Sequence, residues 1–364
     1  MPLPEAIPQP DAAPIVMWEL TRACRLECAA CAIGAQQRRS PLELSTYESY
    51  KTLDQIVSLR PSELILTGGD LLERADIYQL VDYARRRGVA PTVTLTVTPA
   101  LTGAAVGKLR HNGAGRVAIA LDSPMPERHD AARGLNGQFA STLLALRWTR
   151  TADFPLEINT LLTKRNVNDL KTLAELLADV GATRWNVYLF VPTANTKNTD
   201  ALKADEVEAA FETLYELSQR VPYEIRTFEG PHYRRYVVQK TAKAMFESVE
   251  PAFETHSDDR GRAQRQEVIF ISHTGEVTAS PFLPLAAGNV RYQPLGVVYR
   301  TSDLFVALRD TKNLKGKCGR CEFKSICNGS RARAFAVTGD LFAPDPLCAY
   351  QPGTFAKETA VLHA

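Results

Sequence analysis

The feature that most constrains the fold is an alternation of short apolar strands and helices up to about residue 200. Strands are predicted at 15–20, 64–67, 92–98, 116–121, 156–162 and 185–191. Helices are predicted among them at about 46–59, 75–87, 102–112, 139–150 and 168–180. Strands separated by helices form a parallel sheet with right-handed crossovers. Six such units predict an α/β fold, a partial (β/α)6 barrel.

Several residues that could bind a cofactor or take part in a reaction follow the ends of these predicted strands. They are Cys24, Cys28, Cys31, Gly68, Gly69, Asp70, Thr98 and Asp122. In parallel barrels the loops after the strands converge at one face, where the reactive groups lie. We therefore expect these residues to share one mouth.

The seven cysteines form two sets near opposite ends of the chain. The first has the spacing C-x3-C-x2-C, and the second, Cys318, Cys321, Cys327 and Cys348, has the spacing C-x2-C-x5-C-x20-C. Clustered cysteines in a reducing cytosol more often bind metal than form disulfides. The spacing therefore predicts two thiolate-bound metal sites.

Composition narrows the cellular setting and the partners. Lysine and arginine total 43 against 41 acidic residues, so no overall basic field favours nucleic acid. No apolar run reaches the roughly 18 to 20 residues that span a bilayer. The opening MPLPEAIPQPDAAP lacks the basic start and apolar middle of a signal peptide. We expect a cytoplasmic protein without a membrane or nucleic-acid partner.

The first cysteine set after a strand, the Gly-Gly-Asp segment after the next strand and the six βα units resemble the radical S-adenosylmethionine (SAM) enzymes. The resemblance implies a [4Fe-4S] cluster on Cys24, Cys28 and Cys31, because three thiolates leave one iron open to chelate SAM. Cleavage of SAM by an electron from the cluster would give a 5′-deoxyadenosyl radical that abstracts a substrate hydrogen. The implied SAM contacts are Gly68, Gly69, Asp70, Thr98, Asp122, Asn159 and Val191.

The second cysteine set resembles the SPASM-type C-terminal domain, which holds auxiliary iron-sulfur clusters. Full versions use seven cysteines for two clusters, whereas Ser280 and Arg331 stand here where two of these cysteines are expected. The resemblance implies one auxiliary [4Fe-4S] cluster with all four ligands, suited to electron transfer. A structural zinc ribbon is the alternative, since four thiolates also bind zinc.

The same resemblance suggests a domain division. We predict an N-terminal extension (1–13), a radical SAM barrel (14–200), a connector (201–265) and a SPASM-like domain (266–364). Within these, a helix is expected at about 203–220 and a hairpin turn at residues 273–275. Segment 237–266 is predicted to be a lid or a linker, and its charge favours mobility.

Further segments narrow the resemblance to the heme and heme d1 biosynthesis radical SAM proteins. They are RHDAARG, GPHYRRY, ISHTGEV, GNVR and CEFKSICNGSRARAFAVTGD. Such relatives act on tetrapyrroles that carry carboxylates, and guanidinium groups bind carboxylates at two points. The predicted substrate contacts are His232, Tyr233, Arg234 and Arg235, in a stretch that begins at Arg226. The alternative is a solvated basic face, with His232 in packing. Arg128, His129 and Asp130 are expected in a short structural turn at the mouth.

The resulting hypothesis is a radical SAM oxidoreductase or lyase that modifies or decarboxylates side chains of a tetrapyrrole. An electron donor such as flavodoxin or ferredoxin would reduce its clusters. Three alternatives stay open. One is a mycofactocin-type peptide maturase, although only 23 residues precede Cys24, fewer than a leader-recognition domain needs. The others are a dehydrogenase or decarboxylase of a sugar-antibiotic precursor, and a two-cluster electron carrier or redox sensor.

Overall fold

The computed structural model describes residues 13–31, 33–194, 196, 200–247 and 267–355. Its strands are β1 (Ile15–Thr21), β2 (Glu63–Gly68), β3 (Thr92–Leu95), β4 (Arg116–Ala120), β5 (Leu156–Leu162), β6 (Ala182–Leu189), β7 (Glu224–Phe228), β8 (Val268–Ile271), β9 (Glu276–Thr278) and β10 (Gly288–Asn289). Its helices are α1 (Thr46–Ser58), α2 (Ile77–Arg86), α3 (Gly103–His111), α4 (Pro126–Arg133), α5 (Gln138–Thr151), α6 (Leu170–Asp179), α7 (Ala204–Ser218), α8 (His232–Glu247), α9 (Leu295–Thr301), α10 (Asp303–Arg309), α11 (Gly316–Arg320) and α12 (Arg331–Thr338).

These strands form one sheet in the order β10-β9-β8-β1-β2-β3-β4-β5-β6-β7. Neighbours from β1 to β7 are parallel, as the repeated strand–helix units require. β8 adds to the other side of β1 in parallel and continues into the antiparallel strands β9 and β10. The predicted α/β barrel fold is confirmed, and β7 and β8 extend it beyond the six predicted strands.

Alternation along each strand separates an apolar outer face from a more polar inner face. Trp18, Leu66, Val117 and Trp185 are fully buried in the main hydrophobic core, which lies between the sheet and the helices. Successive side chains of a strand point to opposite faces, so the neighbours of these residues along each strand point into the barrel. The barrel interior is therefore available for polar chemistry.

An ion-pair network closes the barrel at the N-terminal ends of its strands. Arg184 contacts Glu157 at 2.8 Å and Glu63 at 3.4 Å, and Arg226 contacts Glu63 at 2.8 Å. Although burial opposes ionisation of Glu63, these arginines hold its pKa below the usual value. Arg226, expected near a substrate, instead lies in this network, which we call the barrel floor (Glu63, Glu157, Arg184 and Arg226).

Some predicted boundaries were wrong for physical reasons. β3 ends at Leu95 because the Thr96 hydroxyl donates to Gly69 O at 2.6 Å and the Thr98 amide donates to Thr96 O, which turns the chain. Residues 237–247 continue α8, and residues 248–266, which make up most of the predicted lid or linker, lie outside the described residues. The predicted helix at 203–220 and the hairpin turn at 273–275 are confirmed by α7 and by β8 and β9. No helix of the described residues is long and apolar enough to cross a bilayer.

Candidate active site

Two glycines bring the end of β2 against the cysteine loop that follows β1. The Gly69 amide donates to Thr21 O at 2.8 Å, and the Asp70 amide donates to Ala23 O at 2.6 Å. A Cβ atom on Gly69 would lie 2.2 Å from Ala23 O. Gly68 has φ +140°, and its Cβ would lie 2.3 Å from Thr21 O. Glycine alone permits these approaches, so the Gly-Gly pair fixes the two loops together.

The Asp70 carboxylate is already engaged on both oxygens. One accepts the Thr98 hydroxyl at 2.6 Å and the other accepts the Leu72 amide at 3.0 Å. Burial raises the pKa of Asp70, and these hydrogen bonds oppose the rise. Asp70 and Thr98 therefore lie together at the mouth, and the Asp70–Thr98 pair orders the Gly-Gly segment beside the cysteines.

The first cysteine set occupies one loop at this mouth. Cys24 is buried, and Cys28 and Cys31 are half-buried. Burial raises the pKa of Cys24, and the negative charges of the other two thiolates raise it further, which reflects their proximity. Three thiols on one loop fit a cluster that keeps one iron open, and a bound metal would displace their protons.

Helix α4 packs against the cysteine loop. The Ala29 amide donates to Ala132 O at 3.1 Å. Gly134 ends the helix with φ +70°, and a Cβ there would lie 2.2 Å from Glu27 O. A glycine with left-handed φ commonly ends a helix, and here it also allows this contact with the loop.

Arg133, at the end of α4, was not predicted from the sequence as a site residue. Its guanidinium contacts the Asp122 carboxylate and also donates to the Cys28 sulfur. Burial raises the pKa of Cys28, whereas Arg133 lowers it. Asp122 accepts the Leu161 amide at 3.0 Å, so Arg133 links the ends of β4 and β5 to the cysteine loop. The sequence signal that could have indicated Arg133 was its position in the RHDAARG segment, directly after a predicted strand.

Arg128, His129 and Asp130 belong to α4, so the predicted short turn was wrong. Arg128 pairs with Asp169 at 2.5 Å. His129 Nδ1 accepts the Asp122 amide at 3.2 Å, and burial lowers the His129 pKa to about 4, which keeps the ring neutral. These three residues hold the mouth in shape and have structural contacts.

Asn159 and Val191 have side chains in different surroundings. Asn159 lies inside the barrel on β5, where its Oδ1 accepts from Asn186 at 3.0 Å. Val191 follows β6, and its side chain is buried against Leu283 and Ala332 of the C-terminal region. The side chain of Asn159 thus faces the barrel interior, whereas the side chain of Val191 packs away from it against the C-terminal region.

The four tail cysteines line a single cavity, here called the cysteine cavity. Its wall contains Cys318, Cys321, Cys327 and Cys348, together with Arg235, Lys317, Lys324 and Tyr350. Backbone amides two residues further along donate to the sulfurs of Cys321, Cys327 and Cys348. Burial raises the pKa of Cys327 to about 12 despite its amide donor. Such amides and the surrounding cations favour thiolates that carry a metal centre.

The cysteine cavity is the reason why the four tail cysteines could hold an iron-sulfur cluster. In the part of the chain that the structure describes, no three His, Cys, Asp or Glu side chains are placed to hold a single metal ion. The four thiols instead surround a common space, bounded by cations that complement an anionic cluster. The lysines beside the cysteine motif were a sequence signal that the prediction did not use.

A larger cavity of about 190 Å³, the barrel-side cavity, lies between the barrel and the C-terminal region. Its apolar wall includes Met17, Tyr188 and Phe228, and the last two rings stack at 4.7 Å. The polar part of its wall includes Glu229, Ser280, Ser330, Arg234 and Arg331. Both serine hydroxyls donate to the Glu229 carboxylate, Ser280 at 2.5 Å. Cys327, Asn328 and Gly329 line both cavities, so the two share a wall.

The predicted substrate residues on α8 do not lie together. Arg234 lines the barrel-side cavity. Arg235 lines the cysteine cavity, where it donates to both oxygens of Glu208 at 2.6 Å. His232 and Tyr233 are buried against Phe211, and burial lowers the His232 pKa to about 3. Among the four, only the environment of Arg234 suits substrate contact.

Known proteins are similar to this chain in sequence and in fold. The Radical SAM superfamily profile matches residues 18–177. The AdoMet-dependent heme synthase of Methanosarcina barkeri (strain Fusaro / DSM 804) is 35% identical over 343 residues, which cover 93% of this chain and 97% of the relative. The chain belongs to the radical SAM superfamily and is an enzyme.

Within the superfamily, the chain resembles the heme and heme d1 biosynthesis proteins. Pre-heme d1 synthase of Dinoroseobacter shibae (strain DSM 16493 / NCIMB 14021 / DFL 12) is 26% identical over 365 residues, covering 95% of this chain and 89% of that protein. The solved structure of Streptococcus suis SuiB bound to S-adenosylmethionine matches with a TM-score of 0.70 at 15% identity, covering 93% of this chain and 78% of that chain. This structural match shows the shared fold.

Proposed function

We propose that this enzyme uses SAM to modify a carboxylate-bearing side chain of a tetrapyrrole, with decarboxylation as the leading reaction. The names of its relatives support a tetrapyrrole substrate. The observation that carries the proposal is the shared wall of Cys327, Asn328 and Gly329. A substrate in the barrel-side cavity would contact the protein layer that also bounds the auxiliary site.

The residues at the mouth have separate tasks in this proposal. Cys24, Cys28 and Cys31 would hold a cluster that, when bound, would supply the electron for SAM cleavage. The Gly68–Gly69 backbone would contact the methionine part of SAM, and Arg133 holds Cys28 in position. A ferredoxin or flavodoxin supplies the reducing electron from outside.

The reaction balances with one electron left over. Hydrogen abstraction from the carbon next to the –CH₂–COO⁻ group leaves a carbon radical. Breaking the bond to the carboxylate then releases CO₂, forms a C=C double bond and leaves one electron. The four tail cysteines would hold the auxiliary cluster that accepts it, across the shared wall.

Anaerobic reconstitution tests the proposal. We expect iron and sulfide for two [4Fe-4S] clusters per chain and release of 5′-deoxyadenosine after reduction. Cys24→Ala should abolish this release, whereas Cys348→Ala should retain uncoupled cleavage of SAM. Assembly of both clusters without any cleavage would favour the electron-carrier alternative.

A binding experiment tests the substrate class. An iron porphyrin with four carboxylates should bind with a shift of its optical spectrum and yield CO₂ in the presence of SAM and reductant. An iron porphyrin without carboxylates is the matched control. Turnover of a ribosomal peptide and no response to either porphyrin would replace this proposal with the maturase alternative.

A further inference from the structure

Arg331 begins α12 four residues after Cys327, and main-chain carbonyls hold its guanidinium. Nη1 donates to Leu341 O at 3.0 Å and to Ala343 O at 2.8 Å. Nε donates more weakly to Gly329 O at 3.4 Å. Nη2 is buried, and no oxygen or nitrogen atom among the residues that the structure describes accepts from it. Three main-chain contacts thus fix a cation whose guanidinium also makes a side-chain hydrogen bond to the Cys318 sulfur.

The charge of Arg331 is not neutralised by a carboxylate in the described ranges. The buried acid that acts on it, Asp345, pairs with Arg333 at 3.2 Å and also accepts the Ser330 and Leu347 amides. Burying a cation without an anion is costly. A negatively charged group beside Arg331 would remove this cost.

The surroundings identify where that anion lies. Arg331 interacts electrostatically with the thiols of Cys318 and Cys327. Gly329 has φ +65°, and a Cβ there would lie 2.6 Å from Nη2 of Arg331. Gly329 also lines both cavities, so the guanidinium packs against the shared wall. Arg331 therefore lines the barrel-side cavity, while its guanidinium packs against Gly329 and is hydrogen-bonded to the Cys318 sulfur.

We propose that Arg331 is a positioning residue that acts through the auxiliary cluster and raises its reduction potential. The inference rests on the cluster assigned under the proposed function. Reduction adds one negative charge to a cluster already held by four thiolates. A fixed cation and a hydrogen-bond donor beside its sulfurs stabilise the reduced form more than the oxidised form. Electron transfer from the substrate radical to the auxiliary cluster is thereby favoured.

Redox titration of the reconstituted holoenzyme, followed by electron paramagnetic resonance, tests the inference. Arg331→Met and Arg331→Gln remove the charge at similar length, and Arg331→Lys keeps it. We expect both neutral variants to lower the ratio of reduced to oxidised auxiliary cluster about tenfold at a fixed potential, which is 59 mV for one electron. The lysine variant should stay closer to the wild type. Arg300→Met is the control, since Arg300 is exposed on α9 and lines neither cavity.

The outcomes separate the inference from the proposed function. A lower potential of the auxiliary cluster in both neutral variants, with an unchanged SAM-binding cluster, supports the role of Arg331. Full iron content with an unchanged auxiliary potential overturns it, and so does loss of the cluster in both neutral variants, which marks a structural role. A wild-type protein with one cluster, and no iron loss in Cys348→Ala, overturns the proposed function as well.

Discussion

At the scale of single residues, the mouth of the barrel depends on glycines, which have no side chain, as much as on charged side chains. Gly69 lies where any side chain would collide with the cysteine loop, since its Cβ would lie 2.2 Å from Ala23 O. Arg133 joins that loop to Asp122. The cysteine loop is therefore clamped by two contacts that come from different elements.

Gly69→Ala should displace the cysteine loop. We expect iron binding at the first site to weaken and 5′-deoxyadenosine release to fall roughly ten- to a hundredfold, as for small displacements in active sites. Gly107→Ala is the matched control, because a Cβ on Gly107 has no atom within 4 Å and lies in helix α3. Normal iron content and cleavage in Gly69→Ala would refute the clamp.

His232 should make the protein sensitive to acid. Its ring is fully buried, and burial lowers its pKa to about 3 in the folded state, below about 6.5 in the unfolded chain. As the pH falls from 6.5 towards 3, the unfolded chain binds the proton first. The free energy of unfolding therefore falls, by up to about 1.36 kcal/mol per pH unit.

His232→Phe should flatten this dependence, which urea unfolding at several pH values measures. Asp345 has a pKa of about 2, because the charge of Arg333 outweighs the effect of burial. The variant should therefore still lose the stabilising contribution of Asp345 at lower pH. His111→Asn, at the exposed end of α3, is the control and should keep the wild-type slope. Equal slopes in His232→Phe and the wild type would contradict the assignment.

At the scale of elements, α4 shows how a polar helix is stabilised by its neighbours. Asp130 accepts the Gly137 amide at 2.6 Å and the Phe139 amide at 2.7 Å, so it caps the start of α5 from outside that helix. The segment carries little apolar periodicity, and the sequence therefore indicated only a turn. Helices that bury an apolar stripe, such as α2 and α6, were predictable for the opposite reason.

Asp130→Ala should leave two amides at the start of α5 without their acceptor. We expect a loss of about 0.5–2 kcal/mol in the free energy of unfolding, the range for helix N-caps. Asp130→Asn keeps one side-chain oxygen and should lose less. Equal stability of the alanine variant and the wild type in urea unfolding would show that water replaces this cap.

At the scale of the whole molecule, the parallel fold and the cysteine sets were predictable because both depend on the spacing of residues that are close together in the sequence. The barrel floor, the Arg133 contact and the shared wall were not, because each joins residues far apart in the chain. Arg226 illustrates the difference: sequence proximity to α8 indicated a substrate contact, whereas pairing of β7 with β6 brings it to Glu63.

Arg184→Met should destabilise the barrel as a unit. Arg184 pairs with Glu63, Glu157 and Glu224, and the first two are mostly buried. Removing one partner of a buried ion pair costs about 3–5 kcal/mol. Arg116→Met is the control, because Arg116 also contacts Glu157 but its side chain is 44% exposed. Thermal unfolding compares the two, and similar losses would contradict a central role for Arg184.

The position of β1 between β2 and β8 has a consequence for the order of synthesis. Residues 15–18 find their second neighbouring strand only when residues 268–271 have left the ribosome. Until then one edge of the strand that leads into the cysteine loop lacks its hydrogen-bonding partner. Iron delivery to Cys24, Cys28 and Cys31 should therefore be completed late, after most of the chain has emerged.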